Sequence, residues 1–468
     1  MASSKLILTI AVLYACFALG MTDSKPIMVI DLFRHGARAA YDDRWDTTKA
    51  WTGKLGELTN AGMRMHYLLG KALAQDYPHL LGTYDPSQIT VFSTDVNRTI
   101  MSAYSQLFGM FSPGAKNLTD YQNKTAVPPG LETYNFTEFL PDNYPLPNGI
   151  QPVPVHIIAH ERDYALAADA GCTNFQQAKV DALNATAYTD FMNTMNDTVN
   201  MIKSYAAQYN ISLPDIWSYG ILADTLITNY FENITAPVNV TYGSKEWNDL
   251  MFFNDWVVTY LYTGQLKNLR LMSYNLFQRQ FDLLNGKLKG KFNKKFALLS
   301  AHDTTLLPML AGLGVVTPQC LMDNYLGKTN DTLCKFPGYS STILTELYND
   351  TDTPYVKFRY NGVYLNVCNN TNNTCTLKAY QDLVDQRLQG YNYTTWLNDC
   401  GISTKPDPTP QPKPPQPDDK GNSPTLLIVL VVIIGIVCIV ELAVLISILR
   451  KSGKQAANAV NDASLMSA

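Results

Sequence analysis

Charge is scarce in this chain. Asp, Glu, Lys and Arg make up 16% of its 468 residues, against roughly 25% in an average soluble protein, while hydrophobic residues reach 46%. Positive charge is not in excess either. The 36 Lys and Arg against 40 Asp and Glu give a net charge of −4, which excludes the strong positive field that nucleic-acid binding needs. The eight cysteines contain no Cys-X-X-Cys pair and no His/Cys cluster at zinc spacing, so a structural metal is not expected. A composition this apolar also excludes a disordered chain, a coiled coil and a collagen.

Part of the hydrophobic fraction lies in two runs. Leu6 to Gly20, preceded by Lys5 and ending in Ala18-Leu19-Gly20, has the length and flanks of a cleaved signal peptide, here residues 1–20. Thr425 to Leu449 is broken by Glu441 and followed by Arg450, Lys451 and Lys454. Roughly 25 residues rising about 1.5 Å each reach ~37 Å, enough to cross a hydrocarbon core of about 30 Å. The flanking positive charge assigns residues 450–468 to a cytoplasmic tail. A carboxylate at Glu441 is costly in such a span, which makes a role in helix assembly a hypothesis. Residues 404–424, dense in Pro, read as a semi-rigid stalk. The expectation is a single-pass type I membrane protein with its folded part, residues 21–403, luminal or extracellular. The tail has no tyrosine, so a tyrosine-based sorting signal is absent, and endolysosomal and plasma membranes are both compatible. Setting aside +1 at Lys5, −1 at Glu441 and +2 in the tail leaves −6 for residues 21–403.

Cys16 and Cys438 fall in the two runs, leaving Cys172, Cys320, Cys334, Cys368, Cys375 and Cys400. An even set in an oxidising compartment points to disulfides, with 15 pairings possible if all are used. Asn-X-Ser/Thr triplets recur from Asn117 to Asn392, as on a glycosylated surface.

Within the folded part, short apolar runs alternate with helical stretches. The run Ile27 to Phe33 stops at Arg34-His35-Gly36-Ala37-Arg38, and Thr59 is placed to cap a helix beginning at Asn60. Ile89 to Phe92 ends in Ser93-Thr94-Asp95-Val96-Asn97-Arg98-Thr99, and Phe296 to Ala301 ends in His302-Asp303-Thr304-Thr305. Open α/β sheets bind ligands at the carboxyl ends of their strands. Three such ends would bring Arg34, His35, Arg38, Arg98, His302 and Asp303 to one crevice. A compact cationic pocket in an acidic domain suits a small anion, most naturally phosphate, because guanidinium groups meet its oxygens in pairs. Neighbouring positive charge keeps an imidazole neutral, so His35 could attack phosphorus, and Asp303 could protonate the leaving alcohol. His66 and His79 read as structural, His156 and His160 as packing or pocket-wall residues.

At these positions the sequence resembles the histidine acid phosphatase family, whose signature is Arg-His-Gly-X-Arg-X-Pro early and His-Asp late. Leu58-Thr59-Asn60-Ala61-Gly62-Met63, the Ser93–Ala103 block, Pro152-Val153-Pro154-Val155-His156, Ile216-Trp217-Ser218 and Leu344-Thr345-Glu346-Leu347-Tyr348 follow in the family's order. The topology is similar to its lysosomal and prostatic branch. The resemblance implies an α/β fold, a phosphoglycerate mutase-like, mostly parallel central sheet flanked by helices, with a mainly helical cap inserted at about 130–260. It implies that His35 becomes phosphorylated, that Arg34, Arg38, Arg98 and His302 hold the phosphate, and that Asp303 is the proton donor. Hydrolysis of a small phosphomonoester or phosphoprotein would need no metal and no cofactor, and relatives are often homodimers. Family members often carry a disulfide between the Ile-Trp-Ser and Leu-Thr-Glu-Leu-Tyr regions. Its cysteines are missing here, and the pairing implied is Cys172–Cys400, Cys368–Cys375 and a local Cys320–Cys334.

The sequence also departs from the pattern. Ala40 replaces the signature proline, and Phe92 stands where relatives often have Arg. Asn97-Arg98-Thr99 is formally a sequon, but a glycan there would crowd the pocket, so it is expected to be unmodified. Two other readings compete: a specialised phosphatase for inositol phosphates or lysophospholipids, and a catalytically idle adhesion or receptor glycoprotein. The inositol-phosphate branch commonly has His-Ala-Glu where this chain has His302-Asp303-Thr304. Retention of all six pocket residues argues against the idle glycoprotein.

Overall fold

The computed structural model describes residues 24–135, 143–350 and 352–402. The expected signal peptide, stalk, membrane span and tail lie outside the described residues. Among those described, no helix is long and apolar enough to cross a membrane.

One mixed sheet organises the chain. Its strands are β1 (Met28–Arg34), β2 (Ile89–Thr94), β3 (His156–Ile158), β4 (Phe296–Ala301), β5 (Thr342–Tyr348), β6 (Tyr355–Tyr360), β7 (Val363–Leu365) and β8 (Cys375–Thr376). They run in the order β3-β2-β4-β1-β5-β6-β7, with β8 beside β6. The first four are parallel, and β5 to β8 add antiparallel pairs on one side. Central parallel strands are covered on both faces and so read as continuous apolar runs. Accordingly, every residue of β1 and β4 is buried.

The layer against Val29, Phe33, Val91 and Leu298 is built by α1 (Asn60–Asp76) and α2 (Asn97–Phe111), through Leu73, Ala103 and Leu107. Thr59 does cap α1, its hydroxyl accepting from the Gly62 amide at 3.2 Å. On the other face, α3 (Leu266–Leu288) and α4 (Asp303–Gly312) cover Ile30, Leu32 and Leu299 with Phe277, Leu306 and Leu310.

Between β3 and α3 lies a helical insertion that includes α5 (Ile216–Phe231) and α6 (Lys245–Thr259). The range expected for the cap, about 130–260, also contains β3, which pairs with β2 through Phe92↔His156 and belongs to the main sheet. All three inferred disulfides, Cys172–Cys400, Cys320–Cys334 and Cys368–Cys375, are formed.

Candidate active site

The sheet order places the carboxyl ends of β2, β4 and β1 side by side, and the six residues singled out from sequence gather there. The segment after β1 is held by backbone bonds on several sides. His35 N–H donates to the Ala301 carbonyl at 3.0 Å, Thr59 N–H to the Ala37 carbonyl at 3.0 Å, and Gly36 N–H to Ser102 Oγ at 3.1 Å. Two glycines permit this packing. A Cβ on Gly36 would stand 2.4 Å from the Gly62 carbonyl oxygen, and one on Gly62 would stand 2.1 Å from the Ala37 oxygen. The loop and the first turn of α1 therefore touch backbone to backbone.

His35 is 2% exposed, with Nδ1 2.8 Å from the Gly36 carbonyl oxygen. A carbonyl can only accept, so Nδ1 carries the proton and Nε2 keeps its lone pair. Burial first, then the charges of Arg34, Arg98, His302 and Arg38, hold the imidazole well below its usual pKa. His302 lies 5.6 Å away, ring centre to ring centre, and is depressed likewise, by burial and then Arg98. Its Nε2 is 3.0 Å from Thr94 Oγ1 and its Nδ1 is 3.4 Å from Arg98 Nη2. Burial and the nearby Arg38 bring Arg98 down to about 10.

Arg34 donates to the Pro337 carbonyl at 2.7 Å and forms an ion pair with Asp303 at 2.7 Å. Asp303 opens α4 and accepts from the Thr304 amide at 2.7 Å, which fixes the carboxylate at the positive end of that helix.

The fold also supplies residues that no sequence motif announced. Asp224, on α5, takes Arg38 in a bidentate pair at 2.7 and 3.1 Å and accepts from the Tyr41 amide at 2.9 Å. Desolvation of Asp255, on α6, pushes its carboxyl up to about 7, against the Asn254 amide and Arg34, which pull it down. Tyr339 lies over Arg34, 4.5 Å from guanidinium carbon to ring centre, and its ring centre is 5.8 Å from that of His35. Its buried hydroxyl has no hydrogen-bond partner among the described residues.

Beneath the loop, His66 is fully buried and contacts Gln106 Oε1 at 3.0 Å and the Arg34 carbonyl at 3.1 Å, a structural position as expected. His79 Nε2 lies 3.0 Å from the Pro26 carbonyl, away from the pocket. His156 and His160 are both exposed, yet His160 is near enough to the pocket for its charge to act on His302. His156 projects from edge strand β3 against Phe92, and Phe92 in turn carries the Arg279 guanidinium 4.1 Å above its ring. Asn97 donates to Glu57 at 3.0 Å, and the Thr99 hydroxyl is buried, 2.8 Å from Thr94 Oγ1.

Taken together, a neutral imidazole with a free Nε2 faces a ring of guanidinium groups, with a carboxyl group on their border. Such an arrangement can bind a dianion, attack it and exchange a proton with the group that leaves.

Comparison with known proteins agrees with this chemistry. Residues 27–361 match the family model of the histidine phosphatase superfamily (branch 2). Prostatic acid phosphatase of Mus musculus is 26% identical over 384 residues, covering 79% of this chain and 87% of that protein. Lysosomal acid phosphatase of Bos taurus is 27% identical over 292 residues, covering 61% of this chain and 62% of that protein. Among solved structures, the phytase from D. castellii shares the fold at a TM-score of 0.54 with 16% identity, covering 82% of this chain and 84% of that one.

Proposed function

Starting from a chain that belongs to branch 2 of the histidine phosphatase superfamily and is a phosphatase, we propose that it is a membrane-anchored acid phosphatase working through a phosphohistidine on His35. The observation that carries this reading is the state of His35. A ring anchored through Nδ1 and kept neutral by burial and surrounding cations presents Nε2 as a nucleophile.

In the proposed sequence, a phosphomonoester places its dianionic group among Arg34, Arg38, Arg98 and His302. The fixed charges of the three arginines stabilise the oxygens as phosphorus becomes five-coordinate. Nε2 of His35 forms the N–P bond while the P–O bond to the alcohol breaks. Asp303, held beside Arg34 at 2.7 Å, gives its proton to the departing oxygen. The bound dianion competes with Asp303 for Arg34. Water then attacks the phosphohistidine, Asp303 takes the water's proton, and phosphate leaves.

Membrane attachment rests on the apolar run Thr425 to Leu449 with Arg450 and Lys451 behind it. Together with the disulfides, it favours a luminal or extracellular pocket on an endolysosomal or plasma membrane. Homodimerisation belongs to the same reading by analogy with the family.

Turnover of p-nitrophenyl phosphate at about pH 5 tests the proposal. The parent protein is expected to be active, His35→Ala inactive, and Asp303→Asn impaired most on substrates with poor leaving groups. Full activity in His35→Ala would refute the assigned nucleophile. Faster turnover of inositol hexakisphosphate than of simple monoesters would favour the specialised reading.

A further inference from the structure

We propose that the Tyr339 hydroxyl donates a hydrogen bond to a non-bridging oxygen of the phosphoryl group, a ligand beyond the three arginines and two histidines. The inference rests on the phosphatase reading above and adds a neutral donor to it.

The hydroxyl is buried and has no hydrogen-bond partner among the described residues. An unpaired buried donor is costly, and native structures keep few of them. The cost is offset if a ligand oxygen arrives at that point. The ring occupies such a point. Its centre is 4.5 Å from the Arg34 guanidinium carbon, 5.9 Å from that of Arg38 and 5.8 Å from the His35 ring centre. Ring packing against two guanidinium groups would be served equally well by phenylalanine. It does not account for a polar atom placed there without a partner.

The segment carrying Tyr339 is tied to the same residues that form the pocket. Arg34 Nη1 donates to the Pro337 carbonyl at 2.7 Å, Arg34 N–H to the Ser341 carbonyl at 2.9 Å, and Ser340 N–H to the His35 carbonyl at 3.0 Å. Ser340 adopts φ of 58°, a left-handed conformation unusual for a residue with a side chain and found disproportionately near functional sites. This strained turn fixes Tyr339 relative to Arg34 and His35.

Arg38 supplies the complementary need. Both protons of its Nη1 are taken, by the Ala39 carbonyl at 3.0 Å and Asp224 at 3.1 Å, and Nη2 gives one proton to Asp224 at 2.7 Å. Arg38 thus keeps a reduced set of donors for phosphate. Around Tyr339, burial and the carboxylates of Asp224 and Asp303 outweigh the pull of Arg38 and Arg34, so the phenol stays protonated and can donate.

The test is Tyr339→Phe, which retains the ring. The inhibition constant of inorganic phosphate is expected to rise about tenfold, the size of effect typical for one hydrogen bond to a charged group. kcat/KM should fall by a similar factor for p-nitrophenyl phosphate and for glycerol phosphate, with an unchanged Tm. An unchanged inhibition constant overturns the inference. So does a loss confined to glycerol phosphate, which would place the hydroxyl on the leaving-group oxygen. So does a large fall in Tm, which would mean that the hydroxyl has a structural partner. If the parent hydrolyses no monoester, the phosphatase reading fails separately, and stabilisation by added phosphate still decides the role of Tyr339. Equal Tm shifts in parent and variant would overturn it.

Discussion

Asp31 offers a quantitative test of how the sheet core responds to pH. It sits at the middle of β1, fully buried, and accepts from Gln106 Nε2 at 2.6 Å and from the Thr342 hydroxyl. Burial raises its pKa from 3.8 to about 6, only partly countered by Thr342, Gln106 and Arg359. The native state therefore holds a proton that the unfolded chain has released, and stability falls as pH rises from about 4 to about 6. A shift of roughly two units corresponds to about 3 kcal/mol. His66 works in the opposite direction. Its folded value of about 4 against 6.5 means that stability is lost as pH falls through that window. The wild-type profile thus contains two opposing contributions of similar size, and the difference between a variant and wild type is what isolates Asp31. Asp31→Asn removes the ionisable group while keeping its shape. With an unfolding entropy of about 2.1 cal/mol/K per residue over roughly 370 residues, 3 kcal/mol amounts to about 4 °C. The Tm of Asp31→Asn minus that of wild type should accordingly rise by about 4 °C between pH 4 and pH 7, read by differential scanning fluorimetry. A difference that stays flat across this range would refute the argument.

Asp224→Ala leaves the Arg38 guanidinium partly buried and unpaired, and should cost about 2–3 kcal/mol. It should also lower kcat/KM on p-nitrophenyl phosphate about 10- to 100-fold. Gly62→Ala forces a methyl against the Ala37 carbonyl and should cost about 1–3 kcal/mol, with activity lost because the loop bearing His35 must move. Cys400→Ser opens a crosslink spanning 228 residues, for which loop-closure entropy sets an upper limit of about 5 kcal/mol. Thermal unfolding of this variant should shift down by as much as about 6 °C, while KM for small substrates changes little.

The residues of the candidate site divide by how they could be read. Arg34, His35, Arg38, Arg98, His302 and Asp303 follow three strand ends, so short local motifs announce them and a parallel sheet brings them together. Thr59 was equally legible, because a capping hydroxyl acts within three residues of its partner. Asp224 was not. It lies in the largely apolar helix α5, and its meaning depends on Arg38, which is 186 residues away in sequence. A lone carboxylate in the run Ile221-Leu222-Ala223-Asp224-Thr225-Leu226 was the available signal. Tyr339 is one of 28 tyrosines, and only the tertiary path of the Pro337–Ser341 segment sets it above two guanidinium groups. The exposure of His156 is not legible for a related reason. A three-residue edge strand carries too little periodicity to show which side faces solvent.

His35 is the group whose chemistry decides the mechanism. Rapid mixing with a phosphorus-labelled monoester, quenching into alkali and peptide mapping should recover label on His35, on Nε2 rather than Nδ1. That regiochemistry follows from the contact between Nδ1 and the Gly36 carbonyl. Label on Nδ1, label on another residue, or label persisting in His35→Ala would contradict the account.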